Sequence, residues 1–409
     1  MAENPYDIVV GLDIGTTKIC AVVGEMNDDS IEIIGVGSHP SIGLRKGVVV
    51  NIDNTVHSIR KAVEEAELMA GCEIDSVFIG IAGSHIKGFN SHGVIAVKGE
   101  EITEEDVERV IDAAQAVAIP MDREVIHIIP QEYIVDDQDG IVDPVGMMGV
   151  RLEAKVHIVT GAVTAAQNLV KCANRAGLEV EDIVLQPLAS AHAVITDEER
   201  EIGVALIDFG GGTTDLAILC EGAIKHTAVL GLGGNNLTYD ISVGLRTPMN
   251  DAEKIKKLYG TCLVSLVKKD EMIEVPSVGD RRPRLLSRHI LAEILEPRVE
   301  EIFTLLDQEI QRTKLKEHIA SGIVITGGSA LLPGICEMAD QIFQLPARIG
   351  YPKYITGLSD AVNSPEYATA VGLVLYGFRD RPQNHKRHKM KGENILSKVT
   401  GKMKSWFGL

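Results

Sequence analysis

Apolar residues in the first 84 positions of the chain follow two different periods. Residues 7–12, 18–23 and 30–36 are short runs rich in β-branched residues and separated by turn residues, which predicts three strands. The stretch that follows repeats apolar side chains every three or four positions, which predicts a helix capped by Asn54 and ended by Gly71. The apolar run 75–82 has the length of a buried strand. The predicted order is therefore β-β-β-α-β.

The same order of elements returns in the second half of the chain. Residues 203–207, 215–219 and 223–229 predict three more strands. A Gly-Gly turn then leads to a predicted helix over 237–243, and residues 322–325 predict a buried strand further along. A repeated unit of this kind indicates an internal duplication, and two such halves leave a cleft between them.

Each half carries additional sequence. Residues 85–160 form an insert with a helix that is capped by Thr103 and runs to about Val117. Residues 230–300 form a second insert, which contains a basic loop. The basic residues of this loop are Arg281, Arg282, Arg284 and Arg288. Beyond Phe378 the chain becomes polar and loses its periodicity, which predicts a flexible linker.

Charge is distributed unevenly along the chain. The 409 residues, 45% of them apolar, suffice for two or three domains with substantial cores. A net charge of −18 argues against a nucleic-acid-binding protein. Residues 379–409 hold nine Lys or Arg and two acidic residues, so this tail carries +7 and the other 378 residues carry −25. A basic tail on an acidic globule predicts a negatively charged partner for the tail.

Cysteine usage and the first residues indicate a compartment. The six cysteines include no CxxC pair and are expected to be reduced core thiols of a cytosolic protein. The start of the chain lacks the basic and then apolar order of a signal peptide. No apolar run reaches the roughly 18 residues that a membrane-spanning helix requires. We therefore expect a cytosolic protein.

Two acidic turns carry the strongest chemical signal. The first is Asp13-Ile14-Gly15-Thr16-Thr17, and the second, 195 residues later, is Asp208-Phe209-Gly210-Gly211-Gly212-Thr213-Thr214. Glycines let backbone N–H groups approach phosphate oxygens, and threonine hydroxyls can donate further hydrogen bonds. An aspartate repels phosphate unless Mg²⁺ lies between them, with water completing the coordination. Either turn alone could be an ordinary β-hairpin, but the pair at equivalent places predicts a nucleoside triphosphate site.

Two further glycine elements lie in the second half. Gly231-Leu232-Gly233-Gly234 precedes a predicted helix, Thr326-Gly327-Gly328-Ser329 follows a predicted strand, and either could hold a ribose or a base by close backbone approach. The chain has no GxxxxGK[ST] motif, and its GxG lacks the third glycine, so neither a P-loop nor a Rossmann site is predicted.

The C-terminal residues predict an amphipathic helix. Six apolar side chains fall within an arc of roughly 120° on a helical projection, and three lysines lie outside it. The apolar residues are Ile395, Leu396, Val399, Met403, Trp406 and Phe407, and the lysines are Lys398, Lys402 and Lys404. A short basic helix of this kind is typical of reversible insertion into an anionic membrane interface. The alternative is docking on the chain's own domain or in a groove of a partner protein.

Taken together, the two acidic turns, Gly233-Gly234 and Gly327-Gly328 resemble the superfamily of actin, DnaK-type chaperone and sugar-kinase ATPases. The insert 85–160, the segment 185–190 and the amphipathic C-terminus narrow the resemblance to the FtsA family of bacterial cell-division proteins, over essentially the whole chain. The resemblance implies an α/β protein with a duplicated actin/DnaK-like ATPase fold. Its two lobes would each carry a subdomain insert, ATP and Mg²⁺ would bind in the cleft, and a C-terminal amphipathic helix would follow.

The resemblance, read with the predicted elements, implies domain boundaries. Residues 1–84, 161–198 and 358–381 would form the first lobe, with the FtsA-type insert at 85–160. Residues 199–229 and 301–357 would form the second lobe, with residues 230–300 as its insert and FtsZ-peptide site. Residues 382–409 would be the flexible linker and the membrane-targeting helix.

The resemblance also implies a structural function. Proteins of the FtsA family polymerise, bind anionic lipid of the inner membrane through the terminal helix, capture the C-terminal peptide of FtsZ and recruit other division proteins. The chain would then tether the Z ring as a peripheral protein on the cytoplasmic face of the membrane at the division site. The competing interpretations of the same fold are a small-molecule kinase or phosphatase and a chaperone-like ATPase. The 32 residues after Gly377 are too few for the peptide-clamping domain of such a chaperone.

Individual residues receive roles from the resemblance. The aspartates that match the superfamily's Mg²⁺-side aspartates are Asp13 and Asp208. The residues that match its phosphate-binding loops are Gly15, Thr16, Thr17, Gly210, Gly211, Gly212, Thr213 and Thr214. The residues that match its ribose and adenine contacts are Gly233, Gly234, Gly327, Gly328 and Ser329. The residues that resemble the helix bordering the nucleoside in DnaK-type relatives are Glu253, Lys256 and Lys257. Arg284, Arg288 and Arg298 are expected to pair with acidic residues of the FtsZ peptide, and the alternative is a solvated basic face.

One position departs from the chaperone pattern. Chaperone relatives have a glutamate before the proline of the connecting segment, whereas this chain has Gln186. A glutamine cannot act as a general base, although it can orient a water molecule as in other NTPases. Gln186 and Asp208 are the two residues expected beside the reacting phosphate. We therefore expect ATP binding with at most slow hydrolysis.

Overall fold

The elements predicted at the start of the chain form the first lobe in the computed structural model, which describes residues 8–27, 30–279 and 281–388. They are β1 (Ile8–Ile14), β2 (Lys18–Asn27), β3 (Ser30–Pro40), β4 (Leu44–Arg45), β5 (Val48–Val49), α1 (Ile52–Ala70) and β6 (Ser76–Ile81). The N-cap of α1 is Asn51 and not, as predicted, Asn54, because the side-chain oxygen of Asn51 accepts the N–H of Asn54 at 3.0 Å. Gly71 ends α1 at a φ of 70°, as predicted.

The first insert folds as a small domain of its own. Its elements are β7 (Lys87–Ala96), α2 (Glu104–Gln115), β8 (Arg123–Val135), β9 (Gln138–Ile141) and β10 (Arg151–Ala162). The strands form one antiparallel sheet in the order β7-β10-β8-β9, and α2 packs on β7 and β10. Thr103 and Asp106 form the predicted capping box of α2, which ends at Gln115, slightly earlier than predicted.

The chain then returns to the first lobe and builds the second. The returning elements are α3 (Val163–Ala176), β11 (Glu179–Leu185) and α4 (Gln186–Val194), and α5 (Asp197–Ile202) leads into the second lobe. Those of the second lobe are β12 (Val204–Phe209), β13 (Thr214–Cys220), β14 (Ala223–Leu230), α6 (Gly234–Gly244), α7 (Met249–Tyr259), β15 (Met272–Val275), β16 (Arg284–Ser287), α8 (Arg288–Thr313), β17 (Ile323–Thr326), α9 (Ile335–Phe343) and β18 (Ala347–Ile349). The last two are β19 (Thr356–Gly357) and α10 (Ala368–His388).

The two central sheets have the same topology. The first runs β11-β6-β1-β2-β3-β19, and the second runs β18-β17-β12-β13-β14. In each, an antiparallel three-stranded meander is followed by parallel strands beside its first strand. This correspondence confirms the duplicated actin-like fold expected from the sequence.

Strand β12 is covered on both faces. Val204 and Leu206 belong to the core that the second lobe shares with the first, whereas Ala205 and Ile207 belong to the core beneath α8 and α9. A strand buried on both sides carries a continuous apolar run rather than an alternating one. This burial explains why residues 203–207 are apolar without a period of two.

Helices α4 and α10 pack against each other at the junction of the lobes. Their backbones approach closely because Gly372 has no side chain: a Cβ placed there would lie 1.9 Å from the carbonyl oxygen of Ala189. This contact places the start of α4 and the start of α10 beside the cleft, where both contribute side chains.

Helix α10 differs from the prediction at its end. It continues through His388, so the segment predicted as a linker beyond Phe378 begins as helix. The predicted membrane helix, with its apolar residues and lysines between Ile395 and Phe407, lies outside the described residues. Within the described ranges, no helix combines the length and apolarity needed to cross a bilayer.

Candidate functional site

The two predicted acidic turns face each other across the cleft. The first connects β1 to β2, and the second connects β12 to β13. A Cβ placed on Gly211 would lie 1.9 Å from the hydroxyl oxygen of Thr17, and one on Gly212 would lie 2.5 Å from that of Thr16. The threonines of one lobe therefore pack directly on the glycines of the other, and only glycine allows this approach.

Asp13 lies at the end of β1, below the first turn. Its Oδ1 accepts a hydrogen bond from Nε2 of Gln186 at 2.9 Å, so the residue expected to orient water contacts a residue expected to face Mg²⁺. Burial and then the neighbouring carboxylate of Asp208 raise the pKa of Asp13 to about 7, against the opposing effect of Lys18. The cleft thus holds carboxylates close enough to repel each other.

Asp208 lies at the equivalent place in the second lobe and is 7% exposed. Its Oδ2 accepts hydrogen bonds from Ser190 Oγ at 2.8 Å and from Thr369 Oγ1 at 3.2 Å. Burial raises the pKa of Asp208, and these two hydroxyls oppose the rise because they stabilise the charged form. Ser190 and Thr369 come from α4 and α10, and neither is among the site residues predicted from the sequence.

Asp215 is a third carboxylate that sequence reasoning left unassigned. It is 2% exposed, and its Oδ2 accepts a hydrogen bond from Thr213 Oγ1 at 3.0 Å. Its Oδ1 is buried and has no hydrogen-bond partner among the residues that the structure describes. Burial, Asp208 and Asp13 raise its pKa well above the usual value, and Thr213 opposes them. Its position seven residues after Asp208, in the same turn motif, was the signal that could have identified it.

This donor set fits a magnesium ion shared with phosphate. Within the described ranges, no three His, Cys, Asp or Glu side chains are grouped closely enough to hold a metal ion by themselves. Mg²⁺ usually keeps several waters and takes one or two carboxylates together with substrate phosphates. Asp13 and Asp208, with the unpartnered oxygen of Asp215 nearby, meet that requirement, and a cation there would relieve their mutual repulsion.

The second-lobe glycine elements pack against the second turn. Gly234 N–H and Asn235 N–H donate to the carbonyl oxygens of Gly210 and Gly211 at 2.9 and 2.8 Å. Ser329 also contacts Gly210, with 3.5 Å between its Oγ and the carbonyl oxygen. The predicted ribose and base elements therefore adjoin the predicted phosphate turn.

Gly327 and Gly328 follow β17 in this arrangement. Gly327 adopts a φ of 84°, and a Cβ there would lie 2.5 Å from Oδ1 of Asp208. Gly328 has open space by comparison, since the nearest atom to a Cβ would be 3.9 Å away, in Glu366. The close packing around Asp208 therefore requires glycine at position 327, whereas position 328 has room for a side chain.

The charged residues predicted beside the nucleoside are already paired. Lys256 Nζ donates to the Gly234 carbonyl at 3.0 Å and to Thr238 Oγ1 at 2.9 Å, and it pairs with Glu253 at 2.7 Å. Burial lowers the pKa of Lys256, against the effect of Glu253. Lys256 and Glu253 thus support the start of α6, whereas the side chain of Lys257 is 68% exposed.

The hydroxyls of the second turn differ from the prediction. Thr213 donates to Asp215, and Thr214, which is fully buried, donates to the carbonyl of Leu232 at 2.9 Å. These two hydroxyls serve the protein's own packing. Thr16 accepts the N–H of Gly47 at 3.0 Å, which leaves its hydroxyl proton available to a ligand.

The three arginines predicted to meet a peptide lie in the second-lobe insert and are also engaged. Arg288 pairs with Glu271 at 2.5 Å, Arg298 pairs with Asp240 at 2.6 Å, and Arg284 donates to the carbonyl of Leu245 at the end of α6. Arg284 and Arg298 thus join β16 and α8 to α6 as one surface, whereas Arg288, at the start of α8, pairs with a residue just before β15.

Comparison with protein families and curated proteins gives a consistent result. The model of the family "Cell division protein FtsA" matches residues 205–372, and that of the SHS2 domain inserted in FtsA matches residues 83–160. FtsA of Pseudomonas aeruginosa is 54% identical over 91% of this chain and 89% of its own length. FtsA of Escherichia coli K12 is 44% identical over 98% and 95%, and FtsA of Bacillus subtilis is 42% identical over 92% and 85%.

Solved structures share the fold at low sequence identity. A PilM-PilN complex of type IV pilus biogenesis matches 90% of this chain and 98% of its own, with a TM-score of 0.66 at 17% identity. MreB5 of Spiroplasma citri bound to ADP matches 93% and 100%, with a TM-score of 0.57 at 16% identity. The MamK double helical filament matches 90% and 98%, with a TM-score of 0.52 at 12% identity. With its actin-like fold, its SHS2 insert and its near full-length identity to curated relatives, the chain belongs to the FtsA family of bacterial cell-division proteins.

Proposed function

We propose that this protein binds Mg²⁺-ATP in the cleft between its lobes, polymerises on the inner membrane and tethers FtsZ to it. The observation that carries the nucleotide part is the contact of Thr16 and Thr17 with Gly211 and Gly212, beside the half-buried Asp13 and the buried Asp208. MreB5 of Spiroplasma citri, which has the same fold, is described bound to ADP and to AMPPNP. The FtsA family supplies the division function.

Different residues of the cleft would contact different parts of the bound Mg²⁺-ATP. Backbone N–H groups of the two turns and the Thr16 hydroxyl would donate to phosphate oxygens, while Asp13 and Asp208 would face the ion through water. Gly233, Gly234 and Ser329 would border the nucleoside. When bound, Mg²⁺ supplies positive charge that lets phosphate and carboxylates share one site.

Hydrolysis is proposed to be slow. Gln186 is held by its hydrogen bond to Asp13, so its amide can position a water molecule but cannot remove a proton from it. Asp208 already accepts hydrogen bonds from two hydroxyl groups, those of Ser190 and Thr369. The nucleotide would therefore act mainly as a structural ligand that holds the lobes in one arrangement.

The second-lobe insert offers a surface for the FtsZ peptide. Tyr239 and Val243 of α6 are 60% and 59% exposed, and Leu285 of β16 is 70% exposed. Arg284 and Arg298 reach α6 from β16 and α8, so their guanidinium groups contact the helix that carries Tyr239 and Val243. An apolar surface with basic groups at its border suits a peptide that carries both apolar and acidic residues.

Membrane attachment is assigned to the C-terminal tail. Its six apolar residues and its lysines, named above, suit an anionic lipid surface, and each Lys or Arg near such a surface contributes about 1 kcal/mol. Since α10 continues through His388, a version of the protein that ends at His388 removes the predicted membrane helix without cutting a described element.

Co-sedimentation with anionic liposomes tests this function. The full-length protein and the version ending at His388 are mixed with liposomes and FtsZ, with and without Mg²⁺-ATP. We expect only the full-length protein to pellet, to bring FtsZ with it and to pellet more completely with ATP.

Two results would contradict the proposal. If both versions stay in the supernatant, the tail is a docking helix and the tether function fails. If the full-length protein pellets without FtsZ, membrane binding stands but the link to FtsZ fails. Liposomes of neutral lipid are the matched control, because they remove the attraction between the lysines and the lipid.

A further inference from the structure

The short hairpin of β4 and β5 brings one lysine to the cleft. Lys46 is at the tip of this hairpin with a φ of 50°. The next residue, Gly47, donates its N–H to Thr16 of the first phosphate turn at 3.0 Å. Gly47 also packs on the end of β6, where a Cβ would lie 2.6 Å from the carbonyl oxygen of Ala82. The backbone that follows Lys46 is thus fixed against the phosphate turn.

The ammonium group of Lys46 extends toward the other lobe. Its Nζ lies 3.9 Å from the position that a Cβ would take on Gly231, which precedes the glycines at the start of α6. Ser84 of the first lobe meets the same point, with its Cβ at 3.8 Å. Among the described residues, Lys46 has no ion-pair or hydrogen-bond partner for its ammonium group. Within the described ranges, an ammonium group without a carboxylate partner therefore lies beside the cleft that contains the half-buried Asp13 and the buried Asp208 and Asp215.

The contacts of the second turn define a direction along the cleft. Gly210 contacts Ser329 and Gly234, the nucleoside side; Gly211 contacts Thr17; and Gly212 contacts Thr16, which is bonded to Gly47. A nucleotide that follows this turn therefore has its base at the Ser329 end and its last phosphate at the hairpin end. The hairpin that carries Lys46 is at that second end, because Gly47 is bonded to Thr16.

We propose that Lys46 is the cation that recognises the terminal phosphate of a nucleoside triphosphate, so that it determines the preference for ATP over ADP. The inference rests on the proposed nucleotide site. A lysine ammonium group binds phosphate as a compact charge on a flexible side chain. A lysine that extends from a fixed hairpin can therefore contact the terminal phosphate, which ATP has and ADP lacks.

The test compares the affinities of ATP and ADP, each with Mg²⁺, by isothermal titration calorimetry. In Lys46→Ala we expect ATP affinity to fall about tenfold or more, the factor for one charge-assisted hydrogen bond, and ADP affinity to change less than about twofold. Lys46→Arg keeps the charge and should restore most of the ATP affinity. Arg45→Ala removes a cation from the same hairpin and should leave both affinities near those of the wild type.

The outcomes separate this inference from the proposed function. If the wild type binds neither nucleotide, the nucleotide site itself fails and the inference with it. If the wild type prefers ATP and Lys46→Ala keeps that preference, the site stands and the role of Lys46 is wrong. An equal loss of ATP and ADP affinity also overturns it, because it would place the lysine at a phosphate common to both.

Discussion

The two acidic turns can contact each other only because the glycines between them have no Cβ atom. Gly211 and Gly212 lie where any side chain would collide with Thr17 or Thr16, and Gly327 lies where a Cβ would meet Asp208. Within the described part of the chain, the buried Oδ1 of Asp215 has no hydrogen-bond partner. A buried polar atom without a hydrogen-bond partner, and glycines required by close backbone approach, both lower the stability of the fold unless a bound ligand contacts them. The geometry of these residues therefore favours a bound cation and phosphate.

Gly212→Ala is expected to weaken Mg²⁺-ATP binding at least about tenfold, because a Cβ 2.5 Å from the Thr16 hydroxyl must push the turns apart. The measurement is calorimetric titration, with thermal unfolding to check the fold. Gly99→Ala is the matched control, because a Cβ on Gly99 would have its nearest neighbour at 3.5 Å. Unchanged ATP affinity in Gly212→Ala would show that the turns do not hold the phosphates.

The sequence identified some of these residues and not others, for physical reasons. Asp13 and Asp208 stand directly after apolar strands and before glycine-rich turns, which makes their position readable from local pattern. Ser190 and Thr369 reach Asp208 from helices that meet only in the folded protein. Hydrogen bonds between distant segments leave no local pattern, so these partners require the structure.

Elements show the same division between local and distant effects. Apolar runs predicted eight of the eleven strands of the two central sheets, because strands buried on both faces are continuous apolar segments. The strands β11, β18 and β19 were not predicted. The cap of α1 was misassigned because Asn51 and Asn54 are both good capping residues, and only the backbone shows that the helix starts at Ile52. The helix over 379–388 was missed because its sequence is polar and has no apolar period.

The surface formed by α6, β16 and α8 yields a prediction about the FtsZ peptide. Arg284→Glu reverses a charge beside exposed apolar residues, so we expect binding of an FtsZ C-terminal peptide to weaken about fivefold or more while Mg²⁺-ATP affinity stays unchanged. Fluorescence anisotropy of a labelled peptide measures the first and calorimetry the second.

Arg282→Glu is the control for this experiment, because it changes the net charge of the same loop equally. An equal loss in both variants would indicate a general effect of charge, and no loss in Arg284→Glu would place the peptide elsewhere. Arg288 is a poorer choice, because its ion pair with Glu271 would be replaced by two like charges.

At the scale of the whole molecule, the first insert is joined to the second lobe as well as to the first. Gln131 donates to the carbonyls of Ile224 and Lys225 on β14 at 2.8 and 3.1 Å. His157, which is fully buried, has Nδ1 2.6 Å from Asn90 Oδ1 and Nε2 2.8 Å from Thr227 Oγ1. A movement of the second lobe relative to the first must therefore either move the insert or break this polar contact.

His157 makes the stability of this arrangement depend on pH. Burial, helped by His226, lowers the pKa of His157 to about 4, whereas an unfolded histidine titrates near 6.5. Between these values the unfolded chain binds a proton that the folded chain does not, so stability falls as pH falls from about 6.5 to 4, by up to ~3 kcal/mol. The loss is absent above about pH 6.5.

The free energy of unfolding measured from pH 7 to 4.5 checks this prediction. In His157→Gln, whose side chain keeps polar partners but does not titrate, the dependence on pH should be shallower than in the wild type. Part of the dependence should remain, because burial also lowers the pKa of His127 to about 4. Identical slopes in the two proteins would contradict the assignment to His157.

The most direct test of the account is a titration of the wild-type protein with ATP, with and without Mg²⁺, beside Asp208→Asn. We predict one ATP for each chain, binding that depends on Mg²⁺, and a loss of that Mg²⁺ dependence in Asp208→Asn. Absence of binding, or ATP binding that neither Mg²⁺ nor Asp208 affects, would contradict a magnesium-nucleotide site between the two turns.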